Sequence, residues 1–228
     1  MPKKSALRGV IAGWENPDKV FHTPPANSAN PLSLPHPFRI ILCSKPNGGK
    51  TLLAQTIAAY NAPWDTVYLL HGGGNSREWD VVEHKKLDAF PEHDFWEREG
   101  GVHTRKLLIV DDVDMLSLSS KGTPSQKSLA KTTFSHCSTH CGLSCIVTCQ
   151  GITSRIPPNV RRLMSHYAYW PPNNQGDIGY MGRAAMIDKQ ELLGLFRMCH
   201  DDHDFILVEN EGGGGRPRLH LNGVTPIY

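Results

Sequence analysis

The sequence predicts an α/β protein: three layers, with a mostly parallel sheet between two helical layers. Three observations carry that expectation. Short apolar runs at 40–43, 66–70, 106–112 and 143–148 have the length and β-branched content of buried strands. Helical spacing recurs in the intervals between them, as a parallel sheet with crossover helices requires. Polar, ligand-type residues follow several runs, at the strand ends where open α/β sheets gather their ligands. At 228 residues, 39% hydrophobic and 20% charged, the chain can bury one good-sized core.

In chain order, residues 1–37 are proline-rich with little periodicity and read as an extended arm preceding one domain over 38–228. Ile11, Trp14 and Phe21 are its apolar anchors. Ile40–Cys43 is the first strand. A helix follows at Leu52, Leu53, Ile57 and Ala58, and Asn61-Ala62-Pro63 stops it. A second strand, TVYLL, ends at His71. Residues 77–90 read as helical, and 91–104 as a polar connection. KLLIVDD is the next strand, ending in two carboxylates. Leu129, Thr133, Phe134 and Cys137 predict a helix over 125–140, LSCIVT a strand that puts Gln150 at its tip, and 165–170 another strand. A helix over 189–199 and a strand over 205–208 precede the glycine turn 211–215, with Arg216, Arg218 and His220 beyond it.

The chemistry concentrates between the first strand and first helix, in Ser44, Lys45, Pro46, Asn47, Gly48, Gly49, Lys50 and Thr51. This is a phosphate-binding loop whose first glycine is replaced by serine. Gly48 and Gly49 let backbone N–H groups turn inward around an anion, and the helix N-terminus adds its positive end. Lys50 is placed to reach the β- and γ-phosphates of ATP, and the Thr51 hydroxyl to take a Mg²⁺ position. Asp111 would hold the metal through its water shell, while Asp112 orients the attacking water. Gln150, at the tip of the strand that follows both motifs, would sense the γ-phosphate, as the polar residue there does in P-loop ATPases with an extra strand between the two motif strands. Two rival classes share the loop: a nucleoside or nucleotide kinase, and a non-hydrolysing nucleotide-binding assembly protein. No arginine-bearing lid supports the first, and an intact set of Lys50, Thr51, Asp111 and Asp112 argues against the second.

A net charge of +2 gives weak support for a nucleic-acid partner. Arg216 and Arg218 are the candidate DNA contacts, weighed evenly against a solvated hairpin tip. No apolar run reaches membrane-spanning length and no secretory signal is present, so the expected setting is intracellular. Four of the six cysteines, Cys137, Cys141, Cys145 and Cys149, recur every fourth residue with His136 and His140 among them. That spacing fits no paired zinc pattern and crosses from helix into strand. The expectation is therefore reduced, metal-free core thiols that do not share a face.

SKPNGGKT, LLIVDD, FSHCSTHCGLSCIVTCQ and the following IPPNVRR together resemble the genome-packaging ATPases of double-stranded DNA viruses, of poxvirus type. These belong to the FtsK/HerA division of P-loop ATPases, and the resemblance covers about residues 38–208. It implies a RecA-like three-layer fold with the sensor strand beside the phosphate-loop strand. It also implies a homo-oligomeric ring that translocates double-stranded DNA into a preformed capsid, with capsid or packaging-vertex proteins as partners. The implied setting is the host cell interior and the virion. Relatives commonly carry an arginine before the sensor strand, where this chain has Thr139. Arg161 is then the first candidate for a catalytic arginine, with Arg162 and Arg155 behind it.

Overall fold

The computed structural model describes residues 32–73, 77–118, 125–172, 174–210 and 216–227. The arm lies outside them except for its last residues, and so does the 211–215 turn. Where the arm joins the domain, Leu32 and Leu34 are buried in the core and Asn61 ties them down. Its side chain accepts from Leu34 N–H at 2.8 Å and donates to Leu32 C=O at 2.8 Å.

Six parallel strands form the larger part of the sheet: β1 (Arg39–Cys43), β2 (Thr66–His71), β3 (Lys85–Leu87), β4 (Lys106–Asp111), β5 (Leu143–Cys149) and β6 (His166–Tyr169). Three antiparallel strands extend it: β7 (Ile206–Glu209), β8 (Arg218–Leu221) and β9 (Thr225–Pro226). Their order is β3-β2-β4-β5-β1-β6-β7-β8-β9. The sensor strand β5 therefore lies between β4 and the phosphate-loop strand β1, as expected.

The alternation of side chains along a strand explains the layers. Ile41, Tyr68, Leu108, Val110, Cys145 and Val147 belong to one apolar cluster. Their neighbours Ile40, Leu42, Val67, Leu107, Ile109 and Ile146 belong to a second. The second is covered by α1 (Lys50–Tyr60) through Leu53, Ala54, Ile57 and Ala58. The first is covered by α2 (His93–Arg98), α3 (Gln126–Thr132), α7 (Gln175–Ala184) and α8 (Lys189–Phe196), using Trp96, Leu129, Ile178 and Leu192. Every residue of β4 and β5 is buried, which accounts for their unbroken apolar runs.

Three expectations are corrected. Residues 77–90 form a 3₁₀ turn, Arg77–Val81, and the edge strand β3 instead of a helix. Trp79 is the anchor there, fully buried, and the remaining side chains are too polar to cover a helix face. The polar connection contains α2, because Phe95 and Trp96 pack edge-on to Tyr68 at centroid distances of 5.7 and 5.2 Å. The helix expected over 125–140 is present, with α3 continued by a π-helical turn, Thr133–Cys137, and by α4 (Ser138–His140). The expectation that its cysteines part from those of β5 also fails. Cys137, Cys141, Cys145 and Cys149 all enter the same core layer, because the helix lies over the face that Cys145 and Cys149 present. All six cysteines are free thiols.

Two short helices, α5 (Ile152–Arg155) and α6 (Pro158–Arg161), carry the chain from the tip of β5 back to the start of β6. Neither α5, α6 nor α7 was expected. In α7, glycines at 176, 179 and 182 weigh against a helix, yet a Cβ at Gly182 would sit 3.1 Å from Ile187 C=O. Close packing selects glycine there despite its low helix propensity. The outer edges of the sheet are short: β3 has three residues, two of them exposed lysines, and β9 has two, one of them proline.

Candidate nucleotide site

Sheet register brings the expected site residues to one end. Cys43 of β1 is level with Cys149 of β5, and Thr148 of β5 with Asp111 of β4. The phosphate loop, Gln150 and the acidic pair therefore leave three adjacent strands side by side. The loop is anchored by Ser44 N–H donating to Cys149 C=O at 3.2 Å. Asn47 and Gly49 take left-handed backbone at φ 61° and 94°, which turns the loop back on itself. A Cβ at Gly48 would lie 2.5 Å from Ser44 Oγ, so serine at the first loop position depends on glycine at the fifth.

Gly49 caps α1 without a side-chain hydrogen bond, and the first turn carries no acidic residue. The helix end is left with N–H donors and a positive dipole facing the loop. Lys50 is buried, its Nζ donating to Ser44 C=O at 3.2 Å and Lys45 C=O at 3.1 Å. The ammonium is thus held inside the cradle in which phosphates would sit.

Across the site, Asp111 is buried at the end of β4. Its Oδ2 accepts from Trp79 Nε1 at 2.7 Å and lies 3.5 Å from His71 Nε2, while its Oδ1 accepts from the Thr148 hydroxyl. Thr148 Oγ1 also accepts from Asp112 N–H at 3.1 Å. Asp112 follows at φ 52°, turning its side chain away from the strand direction, and Oδ2 accepts from Gln150 Nε2 at 3.0 Å. Gln150 and Asp112 are thereby brought into direct contact. Asp177 sets the path beyond Gln150, accepting from Thr153 N–H at 2.8 Å and from its hydroxyl at 2.6 Å.

The donor set suits Mg²⁺. Thr51 and Asp111 offer hard oxygens, and the partners of Asp111 among the described residues are two neutral donors and one imidazole. Among the described residues no lysine or arginine neutralises that carboxylate, which leaves its charge for a cation.

Sequence reasoning missed Trp79, Thr148 and His71 as supports of Asp111, since each comes from a different element and no motif marks them. Trp79→Phe removes a buried donor to a carboxylate while keeping most of the apolar contact. It is expected to lower unfolding free energy by about 1–3 kcal/mol in a denaturant melt. A change within about 0.3 kcal/mol would show that the bond contributes nothing.

Beside the loop lies a cleft of about 520 Å³, with Gly49, Leu52, Trp170, His203, Phe205 and Val224 in its walls. The 200–204 loop is tied to the phosphate loop by Lys45 Nζ to Asp202 Oδ1 at 2.8 Å, and to Trp170 by Nε1 donating to His203 C=O at 3.1 Å. Its apolar floor and polar rim have the make-up of a nucleoside pocket.

The arginines separate. Arg161 does not lie at the nucleotide end of its own chain, contrary to expectation. Ser165, four residues on, donates to Arg39 C=O at the start of β1, so α6 packs at the opposite end of the sheet. The Arg161 guanidinium lies 4.8 Å from the Tyr180 ring centroid, and its carbonyl accepts from the Tyr167 hydroxyl at 2.8 Å. Arg162 follows it there. Arg155 stays at the nucleotide end, with Nη1 3.7 Å from Asp114 Oδ2 and its carbonyl accepting from Leu116 N–H at 3.2 Å. Thr139 caps back onto Ser135 C=O at 3.3 Å. Arg218 pairs with Glu209 at 3.0 Å, and with exposed Arg216 marks the end of the sheet away from the nucleotide.

No family model and no curated protein matches the chain. Solved structures do. The DNA-packaging ATPase B204 of Sulfolobus turreted icosahedral virus is similar at 11% identity over 85% of this chain and 100% of that one, with a TM-score of 0.54. The genome packaging NTPase B204 of Sulfolobus turreted icosahedral virus 2, in complex with sulfate, gives 13% identity, 82% and 97% coverage, and a TM-score of 0.51. The pCW3 conjugation coupling protein TcpA, in monomer form with ATPγS, gives 10%, 85% and 61%, and 0.51. The fold is that of the α/β P-loop NTPases.

Proposed function

We propose that this chain is an ATPase that drives double-stranded DNA into a preformed viral capsid, working as a homo-oligomeric ring. One observation carries the reading: Lys50, the Asp111–Asp112 pair and Gln150 meet at the ends of three adjacent strands, with Gln150 bonded to Asp112 at 3.0 Å. A carboxylate held by a sensor amide suits activation of water, whereas a kinase would need an acceptor alcohol there. The fold likeness to two viral packaging ATPases points the same way. Membership of the FtsK/HerA division, contact with capsid or packaging-vertex proteins and a place in the virion belong to this same proposal.

The loop N–H groups and Lys50 would bind the β- and γ-phosphates, and the cleft beside the loop the nucleoside. Asp112 would orient water for in-line attack, and Gln150 would hold Asp112 until the γ-phosphate competes for its amide. Thr51 and Asp111 would hold Mg²⁺, which when bound would neutralise charge on the phosphate oxygens. Among the described residues no helix is long and apolar enough to cross a membrane.

The deciding experiment is phosphate release measured with and without double-stranded DNA across protein concentration. Stimulation by DNA that rises steeply with concentration supports a ring motor. Phosphoryl transfer to a nucleoside instead of water, or no turnover at any concentration, would overturn it.

Two further outcomes are expected. Arg155, at the nucleotide end of the sheet, takes the place of Arg161 as the candidate catalytic arginine within the chain. Arg155→Ala should lower kcat by about tenfold or more. Arg161→Ala should do so only through a neighbouring subunit, a loss that mixing with Lys50→Ala subunits would partly restore. Equal activity of Arg155→Ala and wild type removes Arg155 from the site. Replacing Arg216 and Arg218 together by alanine should weaken DNA binding evenly across sequences and reduce the salt slope by about 1–2, as lost phosphate contacts would. An unchanged slope would assign both to the solvated tip.

A further inference from the structure

The pattern of cysteines along the chain fits no zinc motif, but the fold supplies a ligand that the pattern cannot show. His93, on the first turn of α2, comes from 48 residues upstream of Cys141. Its Nε2 lies 3.8 Å from Cys141 Sγ, and the ligand atoms of His93, Cys137 and Cys141 all lie within 4.8 Å of one another. We propose that these three residues form a structural zinc site, at the end of the sheet opposite the nucleotide.

The geometry needs little adjustment. Tetrahedral zinc with Zn–S near 2.3 Å and Zn–N near 2.05 Å sets sulfur and nitrogen about 3.5 Å apart. Cys141 N–H donates to Cys137 C=O at 2.9 Å, so the two sulfurs lie one helical turn apart on one face. The π-helical turn ends at Cys137 itself. Such turns insert one residue and re-aim the next side chains, and they recur at functional sites. Both cysteines are buried, about 1% exposed, while His93 borders solvent, which leaves an entry path.

The surroundings are those of a metal ligand set. His93 Nδ1 lies 3.7 Å from Glu97 Oε1, from where a small side-chain movement would complete the carboxylate–imidazole hydrogen bond that holds Nε2 toward a metal. The exposed imidazole of His136 packs against His93 with ring centroids 4.6 Å apart, and that of His140 packs against His136 at 4.4 Å. Three protein ligands leave the fourth tetrahedral position to water or to one of these imidazoles. Sulfur and imidazole select zinc over Mg²⁺ or Ca²⁺. On binding, two Zn–S bonds and one Zn–N bond form, both thiol protons leave to solvent, and no electron moves. Two thiolates cancel the charge of the dication, as a buried position requires. The site would staple α2 to the helix that runs into β5. Cys145 and Cys149 share the core layer but stand outside the cluster, so half of the cysteine run remains plain core.

Metal analysis of the full chain, expressed with zinc present and then dialysed, tests this. One zinc per chain is expected, with a fall in Tm on adding chelator. His93→Gln and Cys141→Ser should lose the metal, Cys145→Ala should keep it, and Glu97→Gln should weaken affinity by about tenfold. Cobalt in place of zinc should give a thiolate-to-cobalt charge-transfer band and the strong visible absorption of a tetrahedral centre. Should the variants fail to fold, the cobalt spectrum of the unaltered chain decides. A spectrum without thiolate charge transfer, less than about 0.1 zinc per chain, or zinc retained by His93→Gln would each overturn the proposal.

Discussion

Lys50→Ala should reduce ATP hydrolysis by about a thousandfold or more, to the background of the phosphate-release assay. The ammonium is stored against Ser44 and Lys45 carbonyls at 3.2 and 3.1 Å, within the loop itself. A bound triphosphate would replace those neutral acceptors with charged ones at small cost in movement, so the contact strengthens as charge builds on the transferring group. Alanine leaves helix N–H groups as the remaining positive element, and nucleotide affinity should fall as well. Lys85→Ala is the matched control, because its ammonium is exposed on the edge strand and pairs with Glu99 there. That variant should stay within about threefold of wild type. Ordinary hydrolysis by Lys50→Ala, with the fold intact by circular dichroism, would mean that this loop is not the phosphate site.

Asp112→Asn separates binding from chemistry. The amide keeps the shape of the carboxylate and leaves Asp111, with its Trp79 and Thr148 bonds, untouched. Affinity for Mg·ATP should stay within about twofold, while kcat falls by about 10²–10⁴ as the acceptor for the water proton disappears. Single-turnover kinetics beside equilibrium titration would show the split. A parallel loss of affinity would move Asp112 from water activation to metal holding. Wild-type turnover would remove it from the chemistry.

What was legible in the sequence follows from how much each feature depends on its own segment. β1, β4 and β5 could be read because strands buried on both faces must be apolar throughout, and their tips could be read because ligand groups cluster there. Asp111, Asp112 and Gln150 sit on or immediately after such tips, and Lys50 opens the helix that follows the loop from the third. β3 could not be read: its three residues pair with β2 along one edge only, and two of them are lysines. α7 carries a glycine at 182 where a Cβ would press to 3.1 Å on Ile187 C=O, a tertiary constraint that helix propensity does not show. Trp79, Thr148 and His93 take their roles from partners brought together by the tertiary fold, and no local pattern announces that. The position of Arg161 was misjudged for a related reason. A return path through two short helices, with little periodicity, hides how far the chain has travelled down the sheet before β6 begins.

The two margins of the sheet bear on how copies of this chain can meet. At one margin β3 offers three residues flanked by lysine ammonium groups, and at the other β9 offers two, with Pro226 lacking an N–H to donate. Neither can template a strand from another molecule. In the proposed ring, contacts between the described parts of neighbouring copies would then run through helix faces and strand-end loops, where surfaces slide or part without tearing a backbone ladder. Subunits joined in that way would change their mutual angle by small steps, at the cost of side-chain contacts alone.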